Sequence, residues 1–300
     1  MKYFLTILFS MCLGWGFAQP EYEALDTACR EFNRRQYDTP EALARDLCKD
    51  LKTDREKARA IYSWIAQSID YQKVPEVEAR TRQEYCDRRV KQVFRSGRGV
   101  CMDYSLLYQR MAQAVGLDCA FIEGHAKTFN GNWESHAWNA VKLGDKWELL
   151  DATWGAGYRN DQGKFIREFQ PGHFFVEPRI FLLTHYPEET KWQLIDQPIS
   201  AADFKKLSFY ANGDLQHGIQ DAVMEQAPGG KIRLKLKIQQ PNTHIFVQMS
   251  GKDLDVQRKD QDGWTTLVFK PTAAQKFQVW GGEKKNNKIQ LALMGEFYRQ

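Results

Sequence analysis

The chain has 300 residues, 43% hydrophobic and 27% charged, with 42 Lys and Arg against 38 Asp and Glu for a formal charge of +4. That is enough apolar material for one large or two ordinary folded domains, and too much for a disordered chain. The basic residues are scattered, which argues against nucleic acid as a partner; the densest run, Arg88-Arg89-Val90-Lys91, reads as the solvated face of a helix.

Residues 1–18 read as an export signal cleaved after Ala18. Lys2 gives the positive start, residues 4–15 form a short apolar run, and Gly16-Phe17-Ala18 places small residues at both cleavage positions. No later stretch is long and apolar enough for an integral membrane segment. The expectation is therefore an exported protein, periplasmic or extracellular. Its oxidising surroundings favour disulfides, and removal of Cys12 leaves Cys29, Cys48, Cys86, Cys101 and Cys119. Five is odd, so one thiol is expected to stay free. At least one disulfide is expected among the other four, with Cys29–Cys48 the favoured pair.

Beyond the signal, the sequence reads as helical. Thr39-Pro40-Glu41 is a start signal, followed by Leu43, Leu47 and Leu51 at one per turn. Thr53 and Glu56 form a capping-box pattern ahead of the apolar face Ile61, Trp64, Ile65 and Ile69. Further on, Gly97-Arg98-Gly99-Val100-Cys101 leads into a helix expected over residues 102–115, buried through Leu106, Leu107, Met111 and Val115 and stopped at Gly116. Cys101 then sits at a helix N-terminus. The unpaired N–H groups and the helix dipole there favour a thiolate, and the same groups can stabilise an oxyanion.

Strands are expected over residues 119–124, 136–143 and 147–151. Gly144-Asp145 reads as a two-residue hairpin loop pairing Leu143 with Lys146. Continued without a bulge, that register puts His136 opposite Thr153 and diagonal to Asp151 on the same face, within hydrogen-bonding reach. Asp151 would orient the imidazole of His136, which would take the proton of Cys101. Trp133, Trp138 and Trp154 lie near these residues in sequence and could wall a hydrophobic tunnel.

After about residue 205 the pattern changes to period-two alternation, clearest in Ile232, Leu234, Leu236 and Ile238. Further short strands over 244–249, 264–269, 276–280 and 288–293 predict a small antiparallel β-sandwich over 205–300, Ig-like, with no catalytic cluster and a binding or positioning role toward a partner.

The stretches GRGVCMDYSLLYQRMAQAVGL and SHAWNAVKLGDKWELLDATWGAG resemble the core of the transglutaminase-like superfamily, and FFVEPRIFLLTHYPEETKWQLI resembles the segment that follows it in the kyphoscoliosis-peptidase type and its bacterial relatives. The resemblance implies an α+β fold of papain-like logic over 19–200, followed by the sandwich. It implies a catalytic Cys101, His136 and Asp151, and points to Tyr71 as a candidate oxyanion donor. It assigns no chemistry to His185. No acidic cluster matches the calcium sites of animal transglutaminases, so neither a metal nor another cofactor is expected. The function expected is an exported cysteine hydrolase, a peptidase or amidase acting on a protein or peptide through a thioester. The alternatives are a protein-glutamine acyltransferase with the same three residues and a non-catalytic peptide-binding protein that keeps the fold.

Overall fold

The computed structural model describes residues 22–127, 133–159, 162–206, 210–211, 219–238, 244–272, 276–285 and 288–298. The expected signal at 1–18 lies outside them. Among the described residues no helix is long and apolar enough to cross a membrane.

The first third is helical, as its caps dictate. After α1 (Glu23–Ala28), α2 (Pro40–Cys48) begins where Thr39 accepts from the Ala42 N–H at 3.2 Å. In α3 (Asp54–Ser68) the capping box is closed both ways: Glu56 N–H donates to Thr53 Oγ1 at 3.1 Å and Thr53 N–H to Glu56 Oε2 at 2.8 Å. Its expected apolar face, Ile61, Trp64 and Ile65, with Ile69 just beyond its end, is fully buried. A short β1 (Asp70–Tyr71) follows, then α4 (Arg82–Ser96), ended by Gly97 at φ 70°. β2 (Arg98–Gly99) pairs in parallel with β1 and leads directly into α5 (Cys101–Ala114). One expectation fails on α4: Arg89, read as part of a solvated face, is buried. It is drawn inward by the carboxylate of Asp103 at the start of α5.

The main sheet combines β3 (Cys119–Lys127), β4 (Trp133–Leu143) and β5 (Lys146–Leu150), all antiparallel. The β4–β5 hairpin has the expected register, from Leu143↔Lys146 to Asn139↔Leu150, with Gly144 at φ 59° in its two-residue turn. Pairing stops there. Asp151 leaves the strand and caps the short α6 (Ala152–Gly155), so Thr153 never faces His136 in a ladder. A small hairpin of β6 (Gly157–Arg159) and β7 (Phe165–Arg167) follows. Two short strands then complete the sheet. β8 (Phe174–Val176) joins β5, and after α7 (Pro178–Phe181), β9 (His185–Pro187) joins β3, giving the order β8-β5-β4-β3-β9. One face of the sheet packs on the helices through Val141 and Leu150 against Leu107 and Met111. The other holds Ile122, Trp138, Ala140, Leu149 and Phe181.

After α8 (Ala201–Lys206), two antiparallel sheets face each other. One orders Ile219–Ala227, Lys231–Ile238, Trp264–Phe269 and Val256–Gln261; the other orders Tyr210–Ala211, Lys288–Tyr298, Lys276–Lys285, His244–Met249 and Lys252–Asp253. The alternation read from residues 231–238 holds: Ile232, Leu234, Leu236 and Ile238 point inward against Val247, Phe269, Phe277 and Met294. Leu183, which precedes the expected boundary, is buried in this same cluster, and Ile180 touches both it and the cluster behind the main sheet.

The expected disulfide is not formed; Cys29, Cys48, Cys86, Cys101 and Cys119 are all free thiols. The buried ones are engaged elsewhere. Cys48 Sγ lies 3.9 Å from the Lys57 carbonyl, Cys119 Sγ lies 3.8 Å from the Ala120 carbonyl, and Cys29 is fully buried. Burial pushes Cys29 and Cys48 up to about 12 and Cys119 further, so these sulfurs stay protonated and inert.

Candidate active site

Cys101 is the first residue of α5 and is half-buried. Its position is fixed from two sides. Beneath it, Asp103 receives two bonds from Arg89, Nε to Oδ1 at 2.7 Å and Nη2 to Oδ2 at 2.6 Å, with both side chains buried. The same Oδ2 accepts the Val100 N–H at 2.9 Å, so the buried pair also caps the helix. Gly99 makes the approach possible: a Cβ there would lie 2.7 Å from both Asp103 Cβ and Val93 Cγ2. Beside it, Asp70 N–H donates to Gly97 O and Gln72 N–H to Gly99 O, each at 2.9 Å. These bonds hold Tyr71 opposite Gly99, two residues before Cys101.

His136 lies on β4 and is buried. Its Nε2 is 2.7 Å from Asp151 Oδ2, which commits that nitrogen to the carboxylate. Cys101 lies near the imidazole, and its side chain and charge both favour the protonated ring. The structure therefore brings Cys101, His136 and Asp151 together, with the His136–Asp151 hydrogen bond in place, although the continuous ladder expected to align those two is absent. Burial disfavours a charged His136, but the charge and hydrogen bond of Asp151, with a further contribution from Cys101, outweigh it and raise the imidazole to about 10. Burial likewise works against ionised Asp151, yet His136 and His185 hold it well below the usual carboxylate range.

Tyr71 is half-buried, with Arg159 over its ring at 5.0 Å. Burial first, and then the nearby Cys101 charge, raise its hydroxyl to about 12, so at neutral pH it is an O–H donor. The three tryptophans do not form a tunnel. Trp133 is one residue out of phase with the even-numbered face of β4 that carries His136, and it packs on Tyr186 and Phe204 instead. Trp138 is buried behind His136 and His185. Only Trp154, half-buried, borders the site, with ring centroids 5.8 Å from His136 and 4.5 Å from His185.

Two features escaped the sequence reading. The Arg89–Asp103 pair was hidden because a basic run on a helix normally faces water. His185 has its Nε2 3.1 Å from Asp151 Oδ2, although 34 residues separate them. The three-residue strand that delivers it is too short to show a period, and a His two before a Pro was the only local signal. His136, Asp151 and His185 place three potential ligand atoms within 4.8 Å of one another. The contacts of 2.7 and 3.1 Å to a single carboxylate oxygen are hydrogen bonds, however, and an ion at the usual distance of about 2.0–2.2 Å from N and O ligands would have to displace them.

This fold defines a class, and the comparisons agree with it. Residues 41–152 match the family model of the transglutaminase-like superfamily, so this core is transglutaminase-like. Kyphoscoliosis peptidase of Mus musculus is 27% identical over 267 residues, covering 84% of this chain and 39% of the relative. Hillarin of Drosophila melanogaster is 26% identical over 226 residues, covering 67% of this chain and 26% of the relative. The chain thus matches well under half the length of each. A solved structure of a TGase aligns at 16% identity with a TM-score of 0.28, over 52% of this chain and 37% of that one.

Proposed function

We propose that the chain is a cysteine hydrolase that cleaves an amide bond of a peptide or protein through a thioester on Cys101, with His136 as base and Asp151 as its orienting carboxylate. The observation that carries this reading is the chain Cys101–His136–Asp151, built at the start of a helix whose first turn offers N–H groups to an oxyanion. Cys101 Sγ attacks the carbonyl carbon as a thiolate. The C–N bond breaks, and the imidazolium of His136 gives its proton to the departing amine. Water then adds to the thioester, losing a proton to His136. The C–S bond breaks, the acid leaves with sulfur departing as the thiolate, and the proton kept on His136 restores the starting thiolate–imidazolium pair. Tyr71, protonated and close enough to sense the Cys101 charge, is the proposed second donor to the oxyanion. With residues 1–18 read as an export signal, the substrates are ones met outside the cytosol.

Hydrolysis is preferred to cross-linking because an acyltransferase must favour an amine over water at about 55 M, which takes a dry channel to the thioester. Of the three tryptophans that could have walled one, Trp133 packs on Phe204 and Trp138 is buried behind His136. The test is to give the purified protein glutamine-containing and other peptides together with a labelled primary amine. Dominant release of the free acid or cleaved peptide, absent in Cys101→Ala, is expected. Dominant amine incorporation dependent on Cys101 would replace hydrolysis with acyl transfer. Neither product across a broad panel, with the thiol still reactive, would favour a binding protein.

A further inference from the structure

Asp151 has more partners than orienting one imidazole requires. Its Oδ1 accepts the N–H groups of Thr153 at 2.7 Å and Trp154 at 3.1 Å, while Oδ2 faces His136 Nε2 at 2.7 Å and His185 Nε2 at 3.1 Å. His185 is 1% exposed, so water does not supply its hydrogen bonds. Its Nδ1 lies 2.8 Å from Thr184 Oγ1, and its ring stacks on Phe181 at 3.9 Å and 18°. Trp138 and Trp154 close around the remaining edges at 5.2 and 4.5 Å.

We infer that His185 is a positioning residue for this site: as a neutral imidazole, it donates from Nε2 to Asp151 Oδ2 and so locks the carboxylate in the orientation and charge state that His136 needs. The inference rests on the function proposed above for Cys101, His136 and Asp151. Its logic is one of proton counting. An ionised carboxylate only accepts, so the single N–H of a neutral His185 must sit on Nε2. Nδ1 is then an acceptor, and the Thr184 hydroxyl, 2.8 Å from it against 3.3 Å from the Phe181 carbonyl, gives its one proton to the ring. The titratable groups facing His185 are Asp151 ahead of α6, His136 on β4 and His173 ahead of β8. Burial, aided by the two histidines, outweighs the attraction of Asp151 and lowers His185 to about 4, in keeping with the neutral form. With four donors on two oxygens the carboxylate cannot rotate without breaking a bond that buried surroundings will not replace. Without His185, the carboxylate can turn away and holds the imidazolium of His136 less firmly, so the thiolate–imidazolium pair forms only at higher pH.

The experiment follows iodoacetamide alkylation of Cys101 in the full chain from pH 4 to 9, with peptide mapping to confirm the site and a melting temperature for each variant. The variants are His185→Phe, which keeps the stacking and removes the donor; His185→Gln, which keeps a donor at the position of Nε2; and His136→Ala as the control. In His185→Phe the acid limb of the profile should move up by about one pH unit. The rate between pH 5 and 6 should fall roughly tenfold, the scale of one hydrogen bond to a charged group. His185→Gln should return the profile to within about threefold of the parent, a rescue that simple ring packing would not give. A parent-like profile in folded His185→Phe would overturn the inference. So would a loss in folded His185→Gln as large as in His185→Phe, and if His185→Phe fails to fold, a large acid-limb shift in His185→Gln alone overturns it. If Cys101 of the parent reacts slowly and His136→Ala changes nothing, the proposed function fails first and the inference falls with it.

Discussion

The histidines around Asp151 are shifted in opposite directions, His185 and His173 down by burial and His136 up by Asp151, and the pH dependence of stability should reveal it. His185 is lowered to about 4 from the ordinary 6.5, and His173 is lowered as well, mainly by desolvation. Between those values the unfolded chain holds protons that the native histidines refuse, so stability is lost as the pH falls from about 6.5 toward 4. His136, raised to about 10, works the other way. Its stabilisation is complete below about 6.5 and is lost as the pH rises through 10. Melting temperature against pH should therefore pass through a maximum near pH 6 to 7. His185→Gln should flatten the acid side and His136→Gln the alkaline side; unchanged slopes in either variant would mean that the residue titrates normally in the fold. The other residue-scale prediction concerns the buried pair under Cys101. Arg89→Met leaves the Asp103 carboxylate buried without its cation, a change that typically costs about 3–5 kcal/mol. A urea titration should show that loss, and the Cys101 alkylation rate should fall with it because the helix start loses its clamp.

At the scale of elements, the parts that positioned Cys101 were legible because local rules act on contiguous residues. The caps at Thr39 and Thr53, the apolar rows of α3 and α5 and the Gly144 turn all follow from spacing and chain chemistry. The hairpin register was right, yet the reason given for the His136–Asp151 contact was not. The ladder ends at Leu150, and Asp151 reaches His136 from the cap of α6. A side-chain oxygen that can cap a helix competes with strand continuation, and at Asp151 the cap prevails. The remainder of the site was illegible because it depends on distant segments. β9 carries His185 to β3, and Gly124 lets it come close: a Cβ there would lie 2.3 Å from Tyr186 O and 2.4 Å from Trp138 Cη2. Gly99, two residues before Cys101, offers the matching test. Gly99→Ala forces Asp103 or Val93 to move, and should lower both the melting temperature and Cys101 reactivity, whereas Gly163→Ala, with open space around it but a positive φ, should cost stability alone.

At the scale of the molecule, the sequence separates residues 205–300 as a sandwich with no part in the chemistry. The segment that follows the transglutaminase-like core nevertheless sends Leu183 into the sandwich core, two residues before His185. Cooperative packing of that kind transmits disturbance along a short, stiff segment. A chain ending after Lys206 exposes Leu183 and Ile180, and Leu183→Ala in the full chain leaves a cavity worth about 2–5 kcal/mol. Both should melt lower than the parent, and the truncated chain should alkylate at Cys101 more slowly. A truncated chain with parental melting temperature and parental reactivity would make the sandwich an independent appendage.

The account turns on whether Cys101 is a nucleophile activated by His136. The direct measurement is limited iodoacetamide labelling of the native protein near neutral pH, quantified by peptide mapping at every cysteine. Burial holds Cys29, Cys48 and Cys119 as protonated thiols. Label should therefore accumulate first at Cys101, and His136→Ala should slow it by at least about tenfold, the equivalent of one pKa unit of lost ion-pair support. Labelling led by another cysteine, or a Cys101 rate indifferent to His136, would contradict the account.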